Sequence, residues 1–251
     1  MESPKRRVVK KKLGKKSESG VERVPTGIKN FDSLIEGGLA RDSTNLLVGG
    51  TGSGKTIFAM QFMVEGISKG EACLFITFEE KKKEFYENMA EFGWDLQKLE
   101  DEGKFEFLEY TPEKVRTMLE EGGGIIESII LKKNVQRVVI DSITSFELLF
   151  NEDVEKREAA LLLFDMLRKW DCTSLLTYEG RPAKDKTISS RILEFESDSI
   201  ILLYYVRKGK KRDRYVEVLK MRGTKHSRSV YPFIIDETGI AISKDEFTGE
   251  L

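Results

Sequence analysis

Gly49-Gly50-Thr51-Gly52-Ser53-Gly54-Lys55-Thr56 is the stretch that decides the fold of this chain. It matches the phosphate-loop pattern G-x-x-x-x-G-K-[ST], with glycines at both required positions. Glycines let the backbone turn tightly, so that successive N–H groups point at one anion. Lys55 supplies an ammonium for the β- and γ-phosphates of a nucleotide, and the Thr56 hydroxyl is a hard ligand for Mg²⁺. The stretch therefore predicts a site for ATP or ADP, with Mg²⁺, from Gly50 to Thr56.

The flanking residues supply the context that this pattern needs. Residues 44–48 predict a short buried strand, residues 57–69 carry apolar side chains at helical spacing, and Gly70 stands where a C-terminal cap belongs. The helix would direct its free N–H groups and positive dipole end toward the same phosphates. An ordinary glycine-rich turn is the alternative, and the order strand, loop, helix disfavours it.

Strand-like and helix-like segments alternate from residue 21 onward. Further strands are predicted at 72–78, 105–110, 138–140 and 174–178, and helices at 81–92, 112–133 (with a break at glycines 122–124) and 154–170. This alternation is typical of an α/β fold, a mainly parallel twisted sheet flanked by helices on both faces. Runs at 199–206, 215–221, 231–235 and 240–243 are expected to extend the sheet as antiparallel hairpins. Residues 21–251 are predicted to form one domain.

Composition narrows the class of protein. The chain has 251 residues and two cysteines, Cys73 and Cys172, each in an apolar run, so we expect buried thiols in a reducing compartment. No apolar run approaches the roughly 18 residues of a membrane span, and no signal peptide opens the chain. We therefore expect a cytoplasmic protein that does not contact a membrane.

Charge is distributed unevenly along the chain. Residues 1–20 contain eight Lys or Arg against two Glu, a net charge of +6, whereas the other residues carry 34 basic and 41 acidic side chains, a net charge of −7. Almost no apolar pattern accompanies the basic run, so we expect residues 1–20 to be a disordered tail. Two interpretations stay open, since the tail could bind nucleic acid or an acidic partner, or serve only as a solubilising arm.

Acidic residues close two of the predicted strands. An apolar strand ends on Asp141-Ser142, and we place both residues at the nucleotide, with the Asp141 carboxylate holding Mg²⁺ beside the Thr56 hydroxyl. A capping Asp is the alternative. Glu79 and Glu80 follow the strand at 72–78, at the edge where α/β sheets bind ligands, and a carboxylate there can deprotonate the water that attacks the γ-phosphate. We favour Glu79 for that role over Glu80 or simple helix-end charge.

Together these motifs resemble those of the RecA-superfamily ATPases, and within them the KaiC-like family. The matching segments are PTGIKNFDSLIEGGL, GGTGSGKT, ITFEE, EFGWDL, VVIDSITS, LLTYEG and VLKMRGTKHSRSVYPFIIDETGI, which run from about Val21 to Ser243. Residues 220–224 look like the family's K-x-R-G-T run, which is more specific than a phosphate loop. The resemblance implies a homo-oligomeric ring, usually hexameric, with ATP at each subunit junction.

Roles for individual residues follow from the resemblance as well. Lys220 and Arg222 would reach the γ-phosphate of the neighbouring subunit's nucleotide, and Glu79 and Glu80 match the family's tandem catalytic glutamates. Strand-end charges are the alternative for the two cations. His226, the only histidine, is either an interface or nucleotide contact or part of a surface loop. The clock protein that names the family has two such domains and a phosphorylated Ser/Thr pair in the second, so the resemblance supports neither a circadian role nor autokinase activity.

Two further basic clusters bear on partners. Six of the eight residues 207–214 are Lys or Arg, at a predicted hairpin turn, where we favour a solvated turn over a binding site. Residues 181–186 stand where recombinases place a DNA-gripping loop, but no aromatic residue is interleaved with the charges. We predict a Mg²⁺-dependent ATPase. The alternatives are a nucleic-acid-dependent recombinase-like ATPase and a regulatory protein whose assembly is switched by ATP occupancy.

Overall fold

A nine-stranded mixed sheet with helices on both faces forms the body of the molecule in the computed structural model, which describes residues 20–122, 124–180, 191–249 and 251. The strands are β1 (Arg23–Val24), β2 (Leu39–Ala40), β3 (Thr44–Gly49), β4 (Ala72–Thr77), β5 (Phe105–Glu109), β6 (Val135–Asp141), β7 (Thr173–Glu179), β8 (Ser199–Lys208), β9 (Lys211–Met221), β10 (Tyr231–Asp236) and β11 (Gly239–Ile242). The helices are α1 (Lys55–Ser68), α2 (Lys82–Ala90), α3 (Leu96–Asp101), α4 (Pro112–Glu120), α5 (Gly124–Lys133), α6 (Ile143–Glu147), α7 (Asp153–Lys169) and α8 (Arg191–Glu196). The basic tail, except Gly20, and the cluster at 181–186 lie outside the described residues.

The order of the strands confirms the predicted α/β architecture. It runs β11-β10-β9-β8-β3-β7-β6-β4-β5, while β1 and β2 form a separate ribbon. Six neighbouring strands, from β8 to β5 in this order, are parallel. The C-terminal hairpins were expected to add antiparallel strands, and β9, β10 and β11 do so. β8 was expected to be one of these antiparallel strands, but it runs parallel to its neighbour β3. The reason is that the chain returns to the edge of the sheet where β3 begins before it enters β8.

Alternating side chains of β3 separate two apolar cores, one on each face of the sheet. Leu47 packs in the core that contains Phe58 and Phe62 of α1. Leu46 and Val48 pack in the core that contains buried side chains of helices α4 to α8. The predicted break in the helix at 112–133 is present between α4 and α5. Both cysteines are buried, as predicted, and burial raises the pKa of the Cys73 thiol to about 12.

A fully buried arginine joins the phosphate-loop helix to the central sheet. Arg137 of β6 donates from Nε to Glu71 Oε2 at 2.5 Å and from Nη1 to the carbonyl of Phe62 at 2.6 Å, and its guanidinium lies 4.5 Å from the Phe62 ring centroid. Gly66 makes room for it, since a β-carbon there would lie 2.4 Å from Arg137 Nε. These contacts fix α1 against β6, the two elements that contain Thr56 and Asp141. Among the described helices, none is both long and apolar enough to cross a membrane.

Candidate nucleotide site

The phosphate loop folds back onto the end of β3. Gly54, directly before α1, has φ +102°, in the left-handed region that favours glycine. A β-carbon on Gly49 would lie 2.4 Å from Ser53 Oγ and 2.8 Å from the Leu203 carbonyl, so this approach also requires glycine. The loop therefore presents backbone N–H groups and the start of α1 at one point, an arrangement that suits a phosphate group.

The Lys55 side chain lies against the backbone of the phosphate loop. Its Nζ donates to the carbonyls of Gly49 at 2.9 Å and Gly50 at 3.2 Å. Burial lowers the pKa of Lys55, against the attraction of Asp141, Glu179 and Glu79. A partly desolvated ammonium beside the loop is a strong electrostatic partner for a phosphate, because little of its charge is screened by water.

The Thr56 hydroxyl and the Asp141 carboxylate contact each other. Thr56 Oγ1 donates to Asp141 Oδ2 at 2.8 Å, and the Thr177 hydroxyl donates to Oδ1. Burial raises the pKa of Asp141, while the two hydroxyl hydrogen bonds act in the opposite direction. Within the described residues no group of three or more His, Cys, Asp or Glu could hold a metal. Thr56 and Asp141 nevertheless fit Mg²⁺, which usually binds one or two protein oxygens together with phosphates and water.

Glu79 and Glu80 lie beside Asp141 because their strands are neighbours in register. Thr77 of β4 pairs with Asp141 of β6, and the Thr77 hydroxyl accepts from the N–H groups of Glu79 and Glu80, each at 3.2 Å. Glu79 Oε1 accepts from Ser142 Oγ at 2.8 Å and from the Ser145 hydroxyl. Burial, and then the charges of Asp141 and Glu79, raise the pKa of Glu80. One glutamate is thus anchored by hydroxyl groups and the other is electrostatically disfavoured as an anion.

Several side chains at this edge were missed by sequence reasoning. Thr177 and Ser145 contact the carboxylates of Asp141 and Glu79, and the Thr77 hydroxyl accepts from the backbone N–H groups of the two glutamates. Thr51 Oγ1 donates to Glu179 Oε1 at 2.5 Å, and Arg214 Nε donates to the Gly52 carbonyl at 3.1 Å. Polar residues at the carboxyl ends of β4 and β7 were the available signal. Arg214 belongs to the basic turn, and its guanidinium lies 4.4 Å from the Tyr205 ring centroid, so that turn is partly packed rather than simply solvated.

Lys220 and Arg222 lie elsewhere, at the edge where β3 begins. Lys220 Nζ donates to the carbonyls of Glu194 and Ser197, both at 2.6 Å, and Arg222 Nη2 donates to the Phe195 carbonyl at 2.5 Å. Burial and then the Arg222 charge lower the pKa of Lys220. Both cations therefore bind the carbonyl-rich end of α8 and its following turn, where cations are favourable.

The strand register measures how far these cations lie from their own phosphate loop. The N–H of Arg222 donates to the Asp198 carbonyl, and the N–H of Asp198 donates to the Thr44 carbonyl. Thr44 is the first residue of β3. The loop begins five residues later, which at about 3.3 Å per residue is roughly 16 Å along the strand. Neither cation is brought together with the other predicted site residues of the same chain. His226 is half-exposed in the following loop, where its Nδ1 lies 2.8 Å from the Ser227 carbonyl.

Comparisons with known proteins agree with this geometry. The model of the KaiC ATPase family matches residues 24–247. The circadian clock protein KaiC3 of Synechocystis is 36% identical over 231 residues, which cover 89% of this chain and 46% of that protein. The circadian clock oscillator protein KaiC of Synechococcus elongatus is 35% identical over 229 residues, covering 88% and 44% respectively. The chain thus spans a little under half the length of these relatives.

A solved structure is similar over nearly its whole length. The crystal structure of a KaiC-like protein from the hyperthermophilic archaeon Pyrococcus horikoshii superposes with a TM-score of 0.80 at 39% identity, covering 89% of this chain and 99% of that one. Fold, phosphate loop and sequence identity therefore point to the same group. The chain belongs to the KaiC-like family of RecA-superfamily ATPases.

Proposed function

We propose that this chain is a Mg²⁺-dependent ATPase that hydrolyses ATP at the junctions of a homo-oligomeric ring, six-membered as the resemblance implies. The observation that carries the proposal is the contact between Thr56 and Asp141, with Glu79 anchored beside them. Residues 21–251 would form the ATPase domain, and residues 1–20 a basic tail attached to it.

The loop edge supplies the groups that bind nucleotide. Backbone N–H groups from Gly50 to Thr56 and the Lys55 ammonium would hold the phosphates, with Ser142 next to Asp141 at the same edge. Thr56 and Asp141 would hold Mg²⁺, which when bound neutralises charge on the phosphate oxygens. Binding and charge neutralisation are thus assigned to one end of the parallel strands.

Glu79 is proposed as the base that takes a proton from the attacking water. Its Oε1 is held by the hydroxyls of Ser142 and Ser145, which fixes the carboxylate near Asp141, the residue that would hold Mg²⁺. Among the described residues, no hydrogen bond is formed by Oε2, so that oxygen can receive the proton. A base that is positioned in this way contributes typically 10²–10⁴-fold to rate.

Lys220 and Arg222 are proposed to act on the nucleotide of a neighbouring subunit. Their distance from their own loop favours action between chains over action within one chain. The neighbouring Phe195 side chain is 69% exposed, which suits a surface that another subunit covers. Developing negative charge on the γ-phosphate would then be stabilised by cations of the adjacent copy.

Removal of the loop lysine tests the assignment of the site. Lys55→Ala should abolish steady-state phosphate release, because it removes a charge-assisted phosphate contact, while the circular dichroism spectrum stays that of the wild type. Lys69→Ala, at the other end of α1 where Lys69 pairs with Glu65, is the matched control and should hydrolyse ATP normally. Near-normal hydrolysis by Lys55→Ala with nucleotide bound would refute the site.

A further inference from the structure

A groove of about 250 Å³ lies between α4 and α7, on the face of the sheet away from α1. Its apolar lining consists of Leu119, Phe150, Ala159 and Leu162. Leu162 is 49% exposed, and the adjoining Leu161 is also exposed, at 38%. An apolar concavity that is open to water suits an occupant with apolar side chains of its own.

The rim of the groove is acidic. Glu120, Glu155 and Glu158 complete the lining, which contains no Lys or Arg. Within the part of the chain that the structure describes, no ion pair involves Glu155 or Glu158. Three carboxylates around an apolar floor define the chemistry of the occupant: it is a cationic peptide with a few interspersed aliphatic residues.

We propose that residues 5–16 of this chain occupy the groove. This segment contains all eight Lys and Arg of the basic tail, together with Val8, Val9 and Leu13. The aliphatic residues would cover the apolar floor, and the cations would lie along the glutamate rim. The pairing is complementary in sign as well as in pattern, because the remainder of the chain has a net charge of −7 and the tail +6.

The chain enters the domain close enough to the groove for this contact. The Glu22 carbonyl accepts from the N–H of Arg41, and the N–H of the next residue, Asp42, donates to Thr173 Oγ1 at 3.0 Å. Thr173 opens β7, directly after α7, so the tail leaves near the C-terminal end of α7.

The remaining distance is short compared with the length of the tail. From the end of α7 back to Leu162 is about 10 Å at 1.5 Å per residue. Residues 17–21 span up to about 16 Å when extended, so residues 5–16 arrive at the groove. This inference is independent of the proposed function, since it concerns where the tail binds and not what the ATPase site does.

Trypsin protection of the tail in the full-length chain tests the proposal. A synthetic peptide of residues 1–19 gives the rate of cleavage for an unbound tail. At low salt the tail of the wild-type chain should be cut at least about tenfold more slowly than the peptide, because cleavage follows the undocked population. Glu120→Gln/Glu158→Gln should bring the rate back toward that of the peptide, and so should Val8→Ser/Val9→Ser/Leu13→Ser.

The controls separate the groove from general attraction to an acidic protein. Glu87→Gln/Glu91→Gln, on exposed positions of α2 and its cap over the other face of the sheet, should leave protection unchanged. A wild-type tail that is cut as fast as the peptide would overturn the proposal, as would groove variants that match the wild type. Protection that appears only on addition of single-stranded oligothymidylate, equally in the wild type and the groove variant, would assign the tail to nucleic acid instead.

Discussion

The two ends of the central strands differ in charge and in how that charge is held. At the loop edge, Asp141 and Glu79 are held by side-chain hydroxyls, and Lys55 is folded onto loop carbonyls. At the opposite edge, Lys220 and Arg222 bind backbone carbonyls near α8, and Arg222 also pairs with the Asp198 carboxylate. One edge gathers carboxylates, and the other presents a pair of cations.

This difference is the reason for proposing that a second chain completes the site. Burial and then the Glu79 charge raise the pKa of Asp141, and burial and then the charges of Asp141 and Glu79 raise that of Glu80, so cations at the loop edge favour the ionised carboxylates. Lys55 is one such cation, and Mg²⁺ would be another. The cations at the opposite edge lie roughly 16 Å along the strand from their own loop, and we therefore propose that they act on a second copy.

Among the proposed substitutions, loss of Arg222 has the largest expected effect on the rate of ATP hydrolysis. If Arg222 stabilises the γ-phosphate charge of a neighbour, Arg222→Ala should lower the rate of phosphate release by about 10³–10⁵-fold while ATP still binds. Mixing Arg222→Ala with Lys55→Ala subunits under exchange should restore part of the activity, at junctions that join an intact pocket to an intact arginine.

The neighbouring Arg228 supplies the control. It is exposed in the same loop, so Arg228→Ala should keep nearly full activity. Mixed rings of verified composition that regain nothing would show that Arg222 does not act between chains. An active Arg222→Ala protein would make the cations at the second edge strand-end charges and nothing more.

Substitution of the two glutamates tests which of them acts as the base at the loop edge. Glu79→Gln should preserve ATP affinity and slow single-turnover hydrolysis by about 10²–10⁴-fold, because the amide cannot accept the water proton. Glu80→Gln should cost less, since no hydroxyl anchors Glu80 among the described contacts. The reverse ranking would transfer the base role to Glu80, whose raised pKa would suit it. No effect from either would leave both as helix-end charges.

The smallest expected effect is a change in melting temperature when Asp141, whose pKa is raised, is replaced by asparagine. A raised pKa means that the folded state binds this proton more tightly than the unfolded state does. The ionised carboxylate therefore costs stability, and this cost appears as the pH rises from the unfolded pKa, about 3.9, through the folded one. Without nucleotide and metal, Asp141→Asn should raise the melting temperature at pH 7 by about 2–4 °C, because the threonine hydroxyls can also accept from the amide.

The pH dependence decides whether this explanation is right. The gain from Asp141→Asn should shrink in thermal scans as the pH falls toward 4 and disappear below it, where the wild-type carboxyl is protonated in both the folded and the unfolded state. A lower melting temperature for the variant, or a gain that does not vary with pH, would contradict it. Phosphate release by the same variant should fall sharply, which separates stability from function at one residue.

Local patterns in the sequence were sufficient for the framework of the fold. The apolar run at 72–78 and the glycines at 122–124 predicted β4 and the break between α4 and α5, because strand burial and helix termination depend on neighbouring residues. The loop pattern likewise identified Lys55 and Thr56 as candidates without any knowledge of packing. The direction of β8 was not predictable in this way, since it depends on where the chain returns to the sheet.

The sequence by itself determined the elements, the phosphate loop and the family to which the chain belongs, because spacing and hydrophobic period are local properties. Only the tertiary structure decided which distant side chains share a site. Thr177 and Ser145 joined the carboxylates through strand register and the turn into α6, and Lys220 and Arg222 were separated from them by the length of β3. Register and strand direction are set by packing across the whole sheet, and no short stretch of sequence contains that information.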